Sequence, residues 1–452
     1  IKDYNDILIP GDEFGKLMRP TLFDFLAHRA IEFLGNDEAY ITDPTYNFEI
    51  TEPVVFDNNK NFAGYVFSSK DTASKKLLAL RLLQDLTTMH LYDPYPSALV
   101  DIDIKRLAFA KNYSIIPDKD SLYLKALICE EKMYSKDSSS ARISYLIAQV
   151  HQSRASNYER LSGDEFKWEL KKAVEICDAA IAKYPNSIGG KNCLALKETI
   201  LQKGLDIAVE KINVPDLPFR SAVTFKNIET LYLRILKITS EQLAEVGQLD
   251  YEERITFLNK LPVQKQWEQK LPNDGDHNEH VTEIKIDALP LGSYVLLGSS
   301  NAGFDRSDNK IIAIELWVSN LSYITSNTND SNNAKGFYIT DRTSGKPIKG
   351  ASIQTYRRDY DYNSRKYKFN ADKTYTTDEN GYFLVNDPLI KDYYYFSFSI
   401  RNGKDFLDIG NNFYIYKSSN SAKNPTYNTF FLTDRSIYRP GQTIYFKGIL
   451  TE

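Results

Sequence analysis

The hydrophobic spacing of this chain changes near residue 206, and that change limits its fold more than any single motif. Before it, apolar residues recur every three to four positions. Leu78, Leu82, Leu86 and Met89 form one such stripe, and Phe166, Leu170, Val174, Cys177 and Ile181 form another. That is the period of a helix with one buried face. After residue 206 the period falls to two, with Leu231, Leu233 and Ile235 alternating with Tyr232 and Arg234, as in a strand covered on one side. The 452 residues are enough for about three domains. The pattern therefore predicts a multidomain α and β chain, helices first and antiparallel sheets after.

Within the first part, Asp71-Thr72 and Asp164 are the expected caps of the two stripes. Lys183-Tyr184-Pro185-Asn186 reads as a helix stop, and a further helix carries Cys193, Leu196 and Ile200 on one face, ending near Gly204. This pair resembles a tetratricopeptide-like helical hairpin, without the strict repeat of that family. Residues 37–66 read as irregular or as short strands. Beyond 206, "LPLGSYVLL" and "IIAIELWVSNLSYI" are strands separated by turn clusters, the texture of an immunoglobulin-like antiparallel sandwich. The polar stretches 325–336 and 418–426 read as linkers. The expected divisions are a mainly helical region at 1–205, sandwiches at 206–324 and 334–418, and the start of another domain at 428–452.

Composition narrows the function. The net charge of -4 and the scattering of Lys and Arg argue against a nucleic-acid footprint. No run of apolar residues is long enough for a helical membrane span. Three cysteines, Cys129, Cys177 and Cys193, make neither a disulfide framework nor a metal knuckle. Cys177 and Cys193 read as small apolar packing residues, with a disulfide between them as the alternative. His277 and His280, in "NDGDHNEHVTE" with Asp274 and Asp276, read as a solvated loop, with no metal expected. "RRDYDYNSRKYKF", 357–369, reads as a long hairpin with a Tyr-lined face. Its Asp359, Asp361 and Asn363 lack the Gly and distal Glu of a calcium loop. Asp101 and Asp103 do not stand out among many carboxylates. With no nucleophile elbow, phosphate loop or dinucleotide turn, neither catalysis nor a cofactor is expected.

The most specific stretch is "TDRSIYRPGQTIYFKGIL", 433–450. Arg439-Pro440-Gly441 is a tight turn feeding an alternating strand. Thr433-Asp434-Arg435 repeats Thr340-Asp341-Arg342 at an interval of 93 residues, about one sandwich. This stretch resembles the opening of a macroglobulin domain in the alpha-2-macroglobulin family, with Asp434, Arg435, Tyr438, Arg439, Pro440, Gly441 and Gln442 at the matching positions. Their expected role is structural, Asp434 and Arg435 holding the turn. "TSGKPIKGASI" and "TTDENGYF", within 336–383, resemble the preceding sandwich of bacterial members.

The resemblance implies membership in a long protein that traps proteases when an exposed bait segment is cut and the molecule collapses, often with a Cys–Gln thioester. None of the three cysteines here is followed by the Cys-x-Glu-Gln pattern. The chain opens Ile1-Lys2-Asp3-Tyr4 and stops inside what looks like a new domain. The expectation is therefore a non-catalytic N-terminal scaffold and interaction region. Proteases would be partners of the full protein, and cell-envelope proteins further partners. The location would be the bacterial envelope, as a periplasmic or surface lipoprotein whose leader is absent from this chain. Residues 431–452, unable to bury a core alone, are expected to be disordered or borrowed by a neighbour. Two other readings stand beside it: an envelope glycan- or protein-binding module, marked by exposed parallel aromatic rings, and an accessory unit of a downstream enzyme.

Overall fold

A computed structural model describes residues 13–36, 46–326, 334–361, 365–386, 393–410, 413–416, 428–433 and 443–451. The helical part comprises α1 (Glu13–Met18), α2 (Leu22–Leu34), a 3-10 turn (Pro53–Phe56), α3 (Asn59–Gly64), α4 (Lys75–His90), α5 (Ser97–Tyr113), α6 (Lys119–Met133), α7 (Ser140–Ala155), α8 (Glu169–Lys183) and α9 (Ile188–Leu201). One core gathers α2 to α7, and a second sits under α7, α8 and α9. Two helical turns thus occupy the stretch expected to be irregular or strand-like.

The helix faces differ in part from the stripes read above. In α4 the buried leucines are Leu77, Leu80, Leu83 and Leu86, while Leu78 and Met89 are exposed. Leu77 to Leu80 is apolar on every side, so spacing alone does not choose a face. The cap is Ser74, whose hydroxyl accepts from the Leu77 N–H, while Asp71, further from the helix, accepts from the Phe48 N–H. The second stripe starts late. Phe166 has φ of 62°, and α8 begins only at Glu169, its N-cap Trp168 bringing no side-chain bond in place of Asp164. Val174, Cys177, Cys193, Leu196 and Ile200 do face the core, and α8 ends at Lys183. Helix α9 packs very close to α7: a Cβ on Gly189 would stand 2.2 Å from the Ala141 carbonyl carbon.

The sheets begin with β1 (Gly204–Val209), β2 (Ile212–Asn213), β3 (Phe219–Lys226) and β4 (Thr230–Lys237). Helices α10 (Ser240–Val246) and α11 (Tyr251–Leu258) follow, then β5 (Val263–Lys270), β6 (His280–Ile286), β7 (Gly292–Ser299) and β8 (Ile311–Val318). A three-stranded sheet, β1-β3-β6, faces a five-stranded one, β2-β8-β7-β4-β5. Leu231, Leu233 and Ile235 of β4 point into the core between them, as the alternation requires. The helices α10 and α11 cover the outer face of the larger sheet through Leu236, Val295, Leu297, Val246 and Leu258. Both helices open with capping boxes, Thr239 with Gln242 and Asp250 with Glu253.

The next unit contains β9 (Leu321–Ser326), β10 (Ala334–Asp341), β11 (Ser352–Asp361), β12 (Lys366–Thr376), β13 (Tyr382–Asn386), β14 (Tyr393–Asn402), β15 (Asp405–Asp408) and β16 (Phe413–Tyr416). Sheet β13-β10-β9 faces β12-β11-β14-β15, with β16 also on β14. Phe337, Phe383, Phe396 and Phe398 fill the space between. Residues 321–324, read with the first sandwich, thus pair with β10 of the second. Residues 325–326 and 334–336 of the expected linker are strand ends. The turn at Asp378–Gly381 is as read: Gly381 has φ of 69°, and a Cβ there would stand 2.4 Å from the Ile339 carbonyl. Last, β17 (Asn428–Thr433) pairs antiparallel with β18 (Phe446–Thr451). These described residues form a two-stranded ribbon with Phe431 against Phe446 and both rings exposed, where disorder or pairing with a neighbour was expected. The stretch 418–426 lies outside the described residues.

Candidate functional site

One polar meeting of elements lies where helices give way to sheet. The loop from β5 to β6 carries Asp274 to Asn278. Gly275 and His277 both have positive φ, 77° and 64°, and the loop folds inward there. Asp276 becomes fully buried. Its Oδ1 accepts from the Asn278 backbone N–H at 2.9 Å and from His280 Nε2 at 2.8 Å. Among the described residues its Oδ2 has no hydrogen-bond partner. His280 is buried, its ring 5.6 Å from that of Phe225. Asp274 places Oδ1 3.7 Å from His280 Nε2 and Oδ2 2.6 Å from the Lys167 ammonium.

The same loop ties the two regions together. Asn278 donates its side-chain amide to the Lys167 carbonyl at 2.7 Å. His277 Nδ1 donates to Asn227 Oδ1 at 2.9 Å, and Asn227 in turn donates to the Ile200 carbonyl near the end of α9 at 2.8 Å. Lys203 adds an ion pair to Asp308 at 2.7 Å. The stretch read as solvated is therefore buried in part, at Asp276, Asn278 and His280, with Asp274 and Glu279 exposed. Sequence could not show this, because Lys167, Asn227 and Ile200 are brought to it only by the fold. Burial raises the Asp276 carboxyl pKa, but bonds from Asn278 and His280 outweigh it and hold the group below the usual carboxylate value. Burial lowers the imidazole pKa of His277.

The carboxylates passed over in the helical part are also buried and paired. Arg106 is fully enclosed. Its Nη1 donates to the Val55 and Asp57 carbonyls at 2.9 and 2.7 Å, and its Nε to Asp103 at 3.1 Å. Glu130 lies 3.9 Å from the same guanidinium. Burial raises the Asp103 pKa to about 6 and, with the Asp103 charge, that of Glu130 to about 8. Asp101 takes Arg142 at 2.6 Å and Arg19 at 3.4 Å. Asp24 accepts from His90 at 2.7 Å while also closing a capping box with Thr21. These groups join helices.

The other candidates are placed as follows. Cys177 and Cys193 are buried free thiols, not a disulfide, and Cys129 is exposed and free. Within the 357–369 segment the described residues lie in β11 and β12, which pair antiparallel. There Tyr360 and Tyr367 stand 5.0 Å apart at 63°, edge-on, with Arg358 3.8 Å over Tyr367. Asp341 accepts from the Ser344 N–H and hydroxyl at 2.8 and 2.7 Å, closing a turn. Arg342 reaches Glu210 of the preceding unit at 2.5 Å. Asp434, Arg435, Tyr438, Arg439, Pro440, Gly441 and Gln442 lie outside the described residues.

No family model matches the sequence, and no curated protein matches it. Solved structures similar to the chain include bacterial alpha-2-macroglobulins. The Escherichia coli protein spanning domains MG0-NIE-MG1 gives a TM-score of 0.31 at 11% identity, over 45% of this chain and 64% of that one. The elastase-activated Escherichia coli protein gives 0.21 at 14%, over 51% and 23%. A red sea bream transglutaminase gives 0.22 at 10%, over 50% and 34%. In each case the match spans less than two thirds of the other chain.

Proposed function

We propose that this chain is the non-catalytic N-terminal scaffold and interaction region of a bacterial alpha-2-macroglobulin-like protein, and that the full protein is a protease-trapping endopeptidase inhibitor. The reading rests on the stretch 433–450, with its Tyr-Arg-Pro-Gly-Gln core, following helices and successive antiparallel sandwiches. On this reading a helical region at 1–205 is followed by two sandwiches, the second beginning with β9 at Leu321, and by a further domain at 428–452. The role proposed for Asp434 and Arg435 is structural rather than catalytic.

Support also comes from how the sandwiches join. Asp405 accepts from the Ser319 hydroxyl at 2.7 Å and the Asn320 N–H at 2.8 Å. Lys211 donates to the Ile409 carbonyl at 2.8 Å. A trap that collapses after one cut needs stiff units to turn a local break into domain movement. The location is the bacterial envelope, as a periplasmic or surface lipoprotein, and proteases are the partners of the whole protein. Cell-envelope proteins are further partners.

The test is to incubate the full-length protein with trypsin and resolve the products on native and denaturing gels. A compact species after a limited cut is expected. A protease adduct that survives denaturation adds a thioester to the mechanism, and a compact species without one means trapping by collapse. Stepwise degradation with no compact species overturns the proposal.

A further inference from the structure

We propose that Asp274, Asp276 and His280 form a binding site for one divalent cation at the seam between the helices and the first sandwich. One donor atom from each lies within 4.8 Å of the other two. Within this cluster, Asp276 supplies a second observation. It is a fully buried carboxylate whose Oδ2 has no hydrogen-bond partner among the described residues. A buried acceptor left open is costly unless a proton donor or a cation meets it. The inference holds whether or not the whole protein traps proteases.

One imidazole with two carboxylates suits zinc, manganese or cobalt, with waters completing the shell. Calcium, which prefers all-oxygen sets, fits less well. The metal ligand is neutral imidazole through Nε2, so binding breaks the Nε2–H bond that now reaches Asp276. The ring keeps its one proton by carrying it on Nδ1 instead, and Nε2 gives its lone pair to the metal. Lys167 opposes the ion. Its ammonium sits 2.6 Å from Asp274 and offsets one of the two negative charges there. A bound cation cross-links the loop whose Asn278 already holds the Lys167 carbonyl, so the seam tightens.

The experiment uses the whole chain, stripped with chelator and dialysed. Zinc chloride is titrated by calorimetry, cobalt by its visible absorption, and melting is followed with and without metal. One ion per chain and a raised melting temperature are expected. His280→Gln and Asp274→Asn should each weaken binding at least about tenfold. Asp274 is partly exposed, so its variant keeps the test sound should His280→Gln fail to fold. Lys167→Met should bind more tightly than the parent, an outcome that loose surface binding would not give. The absence of stoichiometric binding overturns the site. So does equal affinity in the parent and Asp274→Asn, or weaker binding by Lys167→Met.

Discussion

Arg106→Met is the sharpest perturbation of the helical region. The guanidinium is fully buried, donates to two backbone carbonyls and to Asp103, and lies 4.8 Å from the Phe62 ring centroid. Hydrogen bonds to a charged group contribute about 1.5–3 kcal/mol each. Their sum overstates the loss, because Asp103 and Glu130 take up protons rather than stay charged without a partner. Removing one member of a buried pair costs roughly 3–5 kcal/mol, a large part of a typical domain's stability. The assay is urea unfolding followed by far-ultraviolet circular dichroism, which reports the helices. Arg220→Met is the control: it breaks the exposed pair with Glu283 and should cost less than about 1 kcal/mol. Adding Asp103→Leu to Arg106→Met should restore part of the loss, since a buried pair is often replaceable by apolar residues. A loss below about 1 kcal/mol for Arg106→Met alone would refute the reasoning.

Three further outcomes are expected. Folded Glu130 keeps its proton up to about pH 8, while its ordinary value is 4.5. The folded state therefore binds more protons between those values, and the contribution of this group to stability falls as pH rises. Glu130→Gln should flatten that fall in helix melting temperature between pH 5 and pH 8.5. Gly189→Ala drives a Cβ into the Ala141 backbone and should cost at least about 1–3 kcal/mol, measured by chemical denaturation. In the native chain a thiol reagent should label Cys129 quickly and Cys177 and Cys193 only after denaturation, as their exposure dictates; mass spectrometry of the labelled peptides reads this directly.

The order of helix and sheet was legible because period reports burial directly. Leu231, Leu233 and Ile235 show it, as do Cys193, Leu196 and Ile200. The face of α4 was not legible, since Leu77 to Leu80 offers an apolar residue in every direction. Helices α10 and α11 were announced by Thr239-x-x-Gln242 and Asp250-x-x-Glu253, capping signals that a search for strands passes over. The seam was hidden for a different reason. Its groups come from positions 167, 227 and 274–280, and only the tertiary fold makes them neighbours. The same holds for Asp103 and Arg106: their spacing fits an ordinary helix pair, and nothing local says that the pair is enclosed by Val55 and Asp57.

The most direct test of the scaffold-and-trap proposal is trypsin activity in the presence of the full-length protein. A small peptide substrate reads activity, and a large protein inhibitor is added afterwards. Continued cleavage of the peptide, with the large inhibitor shut out, is the expected result, and this 452-residue chain alone should give no such protection. Trypsin that the large inhibitor silences completely, with or without the full-length protein, would contradict the proposal.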